Sequence, residues 1–403
     1  MSKLEAYTMK NKKLNIYSSI TDSHKLAIKK WWEAFQKHHK YIISSLSQKG
    51  SGYFDLPSWM NKHLQSINPR LMWEFGPGIK KKHRLIITPE SYAELRPLVR
   101  YLLEQSPCFA QWEFYEYRLP ESFEETLITM QQRVGWIYIS DIRFQLSIGK
   151  FNQIDCKFYL PFPVEEKNAK GNLFILLETL LGEEILDKWV GLIKVEQPKK
   201  NIFNRMIRSK NKEGADIRKL KSDFNMLIES VKSEYSRPYH TVIEKAEWSL
   251  MEMQPKEQED YLDKQDLFVS PFIAGRLFPA TCEGKQYFYS ERFSNNKEIF
   301  LYIKIDGTAE DFNQGIFQDR ASMEDALGKL LSKDEIGCVV GGGTGIRYYY
   351  TDLAVTDFER SLEVIKNTLQ KGKLTKRSWI LFHDADLQSE WIGVYPDSPK
   401  PPM

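Results

Sequence analysis

The sequence has few of the features that assign a function directly. Of its 403 residues only four are cysteine (Cys108, Cys156, Cys282 and Cys338), and they form no C-x-x-C pair and no zinc-binding spacing with histidine. No run of about 18 apolar residues occurs, and the N-terminus has no apolar stretch of signal-peptide length. These absences argue against a disulfide framework, a structural zinc site and a transmembrane helix. They predict a cytoplasmic protein with reduced thiols.

An excess of charge of one sign is also missing. The 57 Lys and Arg residues nearly balance the 54 Asp and Glu residues, which leaves a formal net charge of +3. A chain with this balance has no overall field that favours nucleic acid or a membrane surface. Aromatic residues, by contrast, make up 13% of the chain, and this share predicts cores built from large rings with several exposed aromatic edges.

Motifs for catalysis are absent as well. There is no G-x-S-x-G nucleophile elbow. His240 and Glu244 are four residues apart, but the second histidine of an H-E-x-x-H zinc site is missing. The sequence therefore predicts no cofactor, and it leaves open whether the protein catalyses a reaction.

The hydrophobic periodicity predicts an α+β fold with two antiparallel α/β sandwich domains, preceded by an N-terminal helical segment. The helical segment (1–68) is expected to pack on the first α+β domain (69–197). A basic linker (198–216) then leads to a second α+β domain (217–403).

The second domain has the clearest pattern. Strands are expected in "QYFYSERF" and "EIFLYIKID", and two capping-box patterns, Ser322-x-x-Asp325 and Thr356-x-x-Glu359, predict helix starts. With the later strands, the order is strand, helix, strand, strand, helix, strand. That order is typical of a ferredoxin-like fold.

Between its two helices lies "CVVGGGTGIRYYYTD" (338–352), which resembles a phosphate-binding loop. Gly343 stands where a Walker loop needs lysine, and Tyr348 stands where a dinucleotide fingerprint needs its third glycine. The residues that follow the glycines predict a strand, whereas the Walker loop and the dinucleotide fingerprint both require a helix there. We therefore expect Gly341, Gly342, Gly343 and Gly345 to form a wide hairpin loop, open to close approach by another chain or a ligand.

Two polar groups in this domain are candidate sites. Arg347, Tyr349 and Asp352 are expected close together beside the glycine loop, as a surface for a protein or small-molecule partner. His383, Asp384 and Asp386 could bind a divalent cation or support acid–base chemistry. The alternative for the second group is a strand end that turns into a solvated acidic loop.

A third candidate is the basic segment 199–221. Its lysines and arginines could bind the phosphates of RNA, DNA or an anionic lipid surface, and Phe203 and Met206 lie between them in the sequence. The alternative, a solvated linker between domains, is favoured because blocks of like charge are usually solvated.

Several stretches, "WEFGPG", "LIITPES", "LRPLVRYLLEQSP", "GCVVGGGTGIRYYYTDLA" and "RSWILFHDADLQSEWIGVY", together resemble a set of uncharacterised bacterial proteins. The likeness covers most of the chain. It implies a bacterial, cytosolic origin and supplies no catalytic residue.

Three hypotheses follow. The first is a non-catalytic module that binds a protein or small-molecule partner through residues 341–345, Arg347 and Tyr349. The second is a metal-assisted enzyme that uses His383, Asp384 and Asp386. The third is a binder of RNA or anionic surfaces through residues 199–221.

Overall fold

The computed structural model describes residues 16–47, 54–161, 163–197, 213–273, 277–282, 287–308 and 315–402. Helices and strands are mixed along these ranges, and the predicted α+β class is confirmed. The chain divides by its contacts into two compact units, Met1–Arg118 and Leu119–Met403. The predicted domain limits are 1–68, 69–197, 198–216 and 217–403. They describe parts of the chain that would fold independently, and they remain a prediction. No helix in the described ranges is both long enough and apolar enough to cross a membrane.

The first unit packs helices on a small sheet. Its elements are α1 (Asp22–Ser47), α2 (Leu56–His63), β1 (Met72–Pro77), β2 (His83–Thr88), α3 (Arg96–Glu104) and β3 (Trp112–Tyr115). The sheet order is β1-β2-β3, antiparallel between β1 and β2 and parallel between β2 and β3. Trp31, Trp32 and Phe35 of α1 are buried in one core with Leu85 of β2 and Trp112 of β3. The N-terminal helix is therefore part of this core.

The second unit begins with a four-stranded sheet. Its elements are α4 (Phe123–Val134), β4 (Arg143–Ile148), β5 (Ile154–Tyr159), α5 (Glu166–Leu181), α6 (Glu183–Trp189), β6 (Val190–Glu196), β7 (Ala215–Asp216) and α7 (Leu220–Glu234). The strand order is β6-β5-β4-β7. Phe224 and Ile228 of α7 share a core with Phe144 and Phe158 of this sheet.

A seven-stranded sheet follows in the same unit. Its elements are α8 (Tyr239–Val242), β8 (Trp248–Glu252), β9 (Leu267–Ile273), α9 (Leu277–Cys282), β10 (Ile299–Asp306), α10 (Arg320–Lys333), β11 (Gly337–Gly345), β12 (Tyr348–Val355), α11 (Phe358–Lys371), β13 (Ser378–Phe382) and β14 (Trp391–Gly393). The order is β14-β13-β10-β12-β11-β9-β8, and every neighbouring pair is antiparallel. Helices α10 and α11 bury Leu327 and Ile365, the centres of their apolar stripes.

Two local expectations are corrected. The glycines expected in a hairpin loop lie inside β11, and the turn is formed by Ile346 and Arg347. "QYFYSERF" contains a short 3₁₀ turn over Ser290–Arg292. It is not the expected strand, because the amide of Ser290 donates to the Asp384 carboxylate and is not free for a neighbouring strand.

Candidate functional site

The glycines of β11 make room for buried side chains. A Cβ added at Gly345 would overlap the carboxylate of Asp266, and one added at Gly343 would overlap Leu267. A Cβ added at Gly342 would collide with Arg320 and Glu324 of α10. The strand is thus packed tightly on both faces by this chain's own residues.

Asp266 fixes the turn that follows β11. It is fully buried, and its Oδ2 accepts hydrogen bonds from the amides of Arg347 (2.9 Å) and Tyr348 (2.8 Å). The Tyr350 hydroxyl donates to Oδ1 of the same carboxylate. A carboxylate bound by three donors holds the β11–β12 turn in place, which accounts for the glycine at 345.

Glu324 occupies the space left by Gly342 on the opposite face. Its Oε1 is 2.5 Å from Arg320 Nη1 and accepts a 3.0 Å hydrogen bond from the Thr351 hydroxyl. Burial raises the pKa of Glu324 to about 7, although Arg320 and Thr351 act in the opposite direction. The carboxyl group therefore titrates near neutral pH.

Arg347, Tyr349 and Asp352 are not brought together. Arg347 pairs with the buried Asp306 at 2.9 Å, and Arg377 binds the same oxygen at 2.6 Å. Tyr349 lines a shallow depression on the helix side of the sheet. Asp352 faces the other side, because residues 349 and 352 differ in parity along β12.

Asp352 lies in a largely buried charge cluster. Its Oδ1 binds Lys264 Nζ and stands 2.8 Å from Nε2 of His383. Burial acts to raise the pKa of Asp352, but the Lys264 ammonium and the His383 hydrogen bond outweigh it and hold the pKa well below its usual range. Lys264 also lies 4.9 Å from the ring centroid of Tyr302. This cluster joins the segment before β9 to the sheet.

The candidate metal ligands point to different partners. His383 faces Asp352, whereas Asp384 accepts from the backbone amide (2.6 Å) and the hydroxyl of Ser290. Burial, with the nearby Asp386, raises the pKa of Asp384 to about 7. In the ranges that the structure covers, no group of three or more His, Cys, Asp or Glu side chains is arranged to hold a metal ion.

The basic segment falls mostly outside the described residues, which resume at 213. In the part that is described, Asp216 forms ion pairs with Arg143 (3.2 Å) and Arg218 (3.1 Å). These two arginines are therefore partly neutralised by an acidic neighbour.

Sequence reasoning missed one surface, the edge strand β8. All five of its residues are exposed, including Trp248 (48%), Leu250 (62%) and Met251 (40%). Five residues, W-S-L-M-E, form too short a run to reveal a strand by alternation. These five residues include no proline or lysine, the residues that commonly protect a sheet edge. That absence was the one sequence signal that could have indicated an unprotected edge.

The direction of the free backbone groups of β8 follows from its register. Trp248 to Glu252 pair with Ile273 to Val269 without interruption, and the Met253 amide donates to the Phe268 carbonyl at 2.8 Å. Hydrogen-bonded and non-hydrogen-bonded pairs alternate along an antiparallel ladder. The amides and carbonyls of Trp248, Leu250 and Glu252 therefore point away from β9.

A shallow groove runs beside this edge on the helix side. Trp248 and Val339 line its floor, and Glu324, Gly328 and Lys329 of α10 line its wall. Trp248 and Leu250 are two residues apart on β8, so their side chains project from the same face. This edge of the sheet thus combines free backbone groups with exposed apolar side chains and a groove.

No protein-family model, no curated protein and no solved structure matches the chain significantly.

Proposed function

We propose that the protein is a non-catalytic binding module that takes up an extended segment of a protein partner as an additional strand beside β8. The observation that carries the proposal is the exposed edge Trp248–Glu252, with its outward amides and carbonyls and its apolar side chains. Strand addition of this kind gains affinity from main-chain hydrogen bonds and specificity from alternate side chains.

Among the residues that the structure describes, the edge lacks the usual protection against pairing. Natural sheets block their edges with lysine, proline, bulges or a covering element. β8 contains neither lysine nor proline, its register is regular, and its residues are exposed. A strand that exposes Trp248, Leu250 and Met251 suits a surface that pairs as part of its function.

The framework supports this use of the edge. We propose a ferredoxin-like core made of β10, α10, β11, β12, α11 and β13, because the spatial order β13-β10-β12-β11 with both helices between strands fits that fold. Strands β9 and β8 extend this core on one side. The binding edge is thus an extension of a sheet whose centre is fixed by Asp266 and Asp352.

The partner segment would be extended, with apolar residues at alternate positions. One face of it would meet Trp248 and Leu250 beside the groove, and the other would meet Met251. A cytoplasmic, bacterial setting belongs to this proposal. Metal-assisted catalysis at His383, Asp384 and Asp386, and phosphate binding through 199–221, stay as alternatives that no described contact favours.

The test uses short linear peptides selected from a displayed library on the wild-type protein. Leu250→Pro removes one outward amide without touching the β8–β9 ladder, and Leu250→Val is the matched control that keeps the amide. Leaving a partner carbonyl unsatisfied costs about 1–3 kcal/mol, so we expect peptide affinity to fall by roughly 5- to 150-fold in Leu250→Pro only. Equal binding to both variants, or failure to select any peptide, would refute strand addition.

A further inference from the structure

The edge strand β8 has a register that complements itself. Its bounds are Trp248 and Glu252, so Leu250 lies at its centre. The residues whose backbone groups point outward are Trp248, Leu250 and Glu252, which are also symmetric about Leu250. A strand of this kind can pair with a copy of itself about a two-fold axis through its centre.

We propose that a second copy of this chain occupies the edge, so that two β8 strands pair antiparallel and join the two sheets into one. This inference rests on the proposed function and names its partner. A two-fold interface is isologous, so each residue that contacts a second residue is contacted by it in return.

The self-pairing uses every outward group. Leu250 would face its own copy in a hydrogen-bonded pair, and Trp248 would face Glu252 of the other copy, also in a hydrogen-bonded pair. All five residues overlap in this register. If the register shifted by one residue, the outward amides of one strand would face residues of the other strand whose backbone groups point toward β9. The hydrogen bonds between the two β8 strands would then be lost.

The side chains agree with the same register. The two Leu250 side chains meet on the groove face at the axis, where each of them is 62% exposed in the single chain. The two Glu252 carboxylates lie at opposite ends of the paired segment, about 14 Å apart along the strands, because each strand rises about 3.4 Å per residue. The pairing therefore covers apolar surface without opposing like charges directly.

Disulfide cross-linking between engineered cysteines tests where the two-fold axis crosses β8. In a hydrogen-bonded antiparallel pair the two Cα atoms are about 5.5 Å apart, within the range that a disulfide can bridge. Leu250→Cys should therefore give a covalent dimer under mild oxidation. Ser249→Cys is the matched control, because its two Cα atoms would be about 8 Å apart, beyond that range. Both variants are made with Cys108 and Cys282 replaced by serine, since Cys156 and Cys338 are buried.

Sedimentation of the full chain over a range of concentrations tests the non-covalent dimer. Both copies lose their axial amide in Leu250→Pro, so two carbonyls are left unsatisfied and the factor expected for a peptide applies twice. The dimer dissociation constant should therefore rise about 25-fold or more, whereas Leu250→Val should change it far less. Circular dichroism and thermal unfolding verify that both variants are folded.

A dimer weakened by Leu250→Pro and cross-linked at residue 250 but not 249 supports the inference. A monomer at every concentration, a dimer indifferent to Leu250→Pro, or equal cross-linking at both positions overturns it. If the chain is monomeric but selected peptides still bind in a manner that depends on the Leu250 amide, the self-pairing fails and strand addition stands. If neither occurs, both fail.

Discussion

Replacing Gly345 with alanine tests whether the glycines of β11 serve packing or flexibility. If Gly345 served only a flexible loop, alanine would leave stability unchanged or raise it by about 0.4–1 kcal/mol, because it lowers the entropy of the unfolded chain. The structure predicts the opposite sign. The new methyl group would overlap the carboxylate of Asp266, which is fully buried and bound by three donors.

The size of the effect follows from those contacts. Hydrogen bonds to a charged group contribute about 1.5–3 kcal/mol each, and forcing extra atoms into a packed core costs about 1–3 kcal/mol. Displacing the carboxylate enough to lose one of its bonds therefore lowers the free energy of unfolding by roughly 2–5 kcal/mol, after the gain in the unfolded state is subtracted. This is a large share of the 5–15 kcal/mol that is typical of a domain.

Urea unfolding followed by circular dichroism, with hydrogen exchange of the β10–β12 peptides, measures the change in the second unit. Gly171→Ala is the control, since an added Cβ in the middle of α5 meets nothing within 4 Å and should stabilise the helix by about 1 kcal/mol. In an Asp266→Ala background, where the space is free, Gly345→Ala should cost less than about 1 kcal/mol. A Gly345→Ala protein as stable as the wild type would refute this reading of the strand.

Two further predictions concern pH and helix capping. The pKa of Glu324 is raised from 4.5 to about 7, so the folded state holds this proton more tightly than the unfolded state does. The free energy of unfolding should therefore fall as the pH rises from about 4.5 to 7, and Glu324→Gln should lack this part of the decrease. Parallel curves of stability against pH for the two proteins would contradict the assignment. Ser122→Ala removes the acceptor for the Glu125 amide in the capping box of α4 and should cost about 1 kcal/mol in thermal unfolding, whereas no change would mean that the box contributes nothing.

The sequence predicts elements better than it predicts their ends. The apolar run in "EIFLYIKID" correctly indicates β10, because a strand with both faces in a core has apolar residues in succession. The two capping-box patterns predict the correct helices, but Ser322 and Thr356 are not the residues that cap them. Asp319 caps α10 with Ser322 as its third residue, and Asp357 caps α11. Which short side chain reaches the free amides depends on the incoming backbone direction, and sequence spacing does not specify it.

The candidate site was harder to predict because its signals have more than one physical origin. A glycine run is typical of a turn, yet here the missing Cβ atoms admit Asp266, Leu267 and Glu324, which lie 18 to 79 residues away in sequence. His383 and Asp384 are neighbours in the chain, but their side chains reach different partners, Asp352 and Ser290. Such distant pairings are fixed by the tertiary fold.

Amide hydrogen exchange along β8 tests the central claim most directly. In the free chain the amides of Trp248, Leu250 and Glu252 should exchange quickly, while those of Ser249 and Met251, which point toward β9, should exchange slowly. When a selected peptide or a second copy is bound, strand addition predicts that the three outward amides become protected and the inward ones change little. Binding that leaves the amides of Trp248, Leu250 and Glu252 exchanging at their free rates would contradict it.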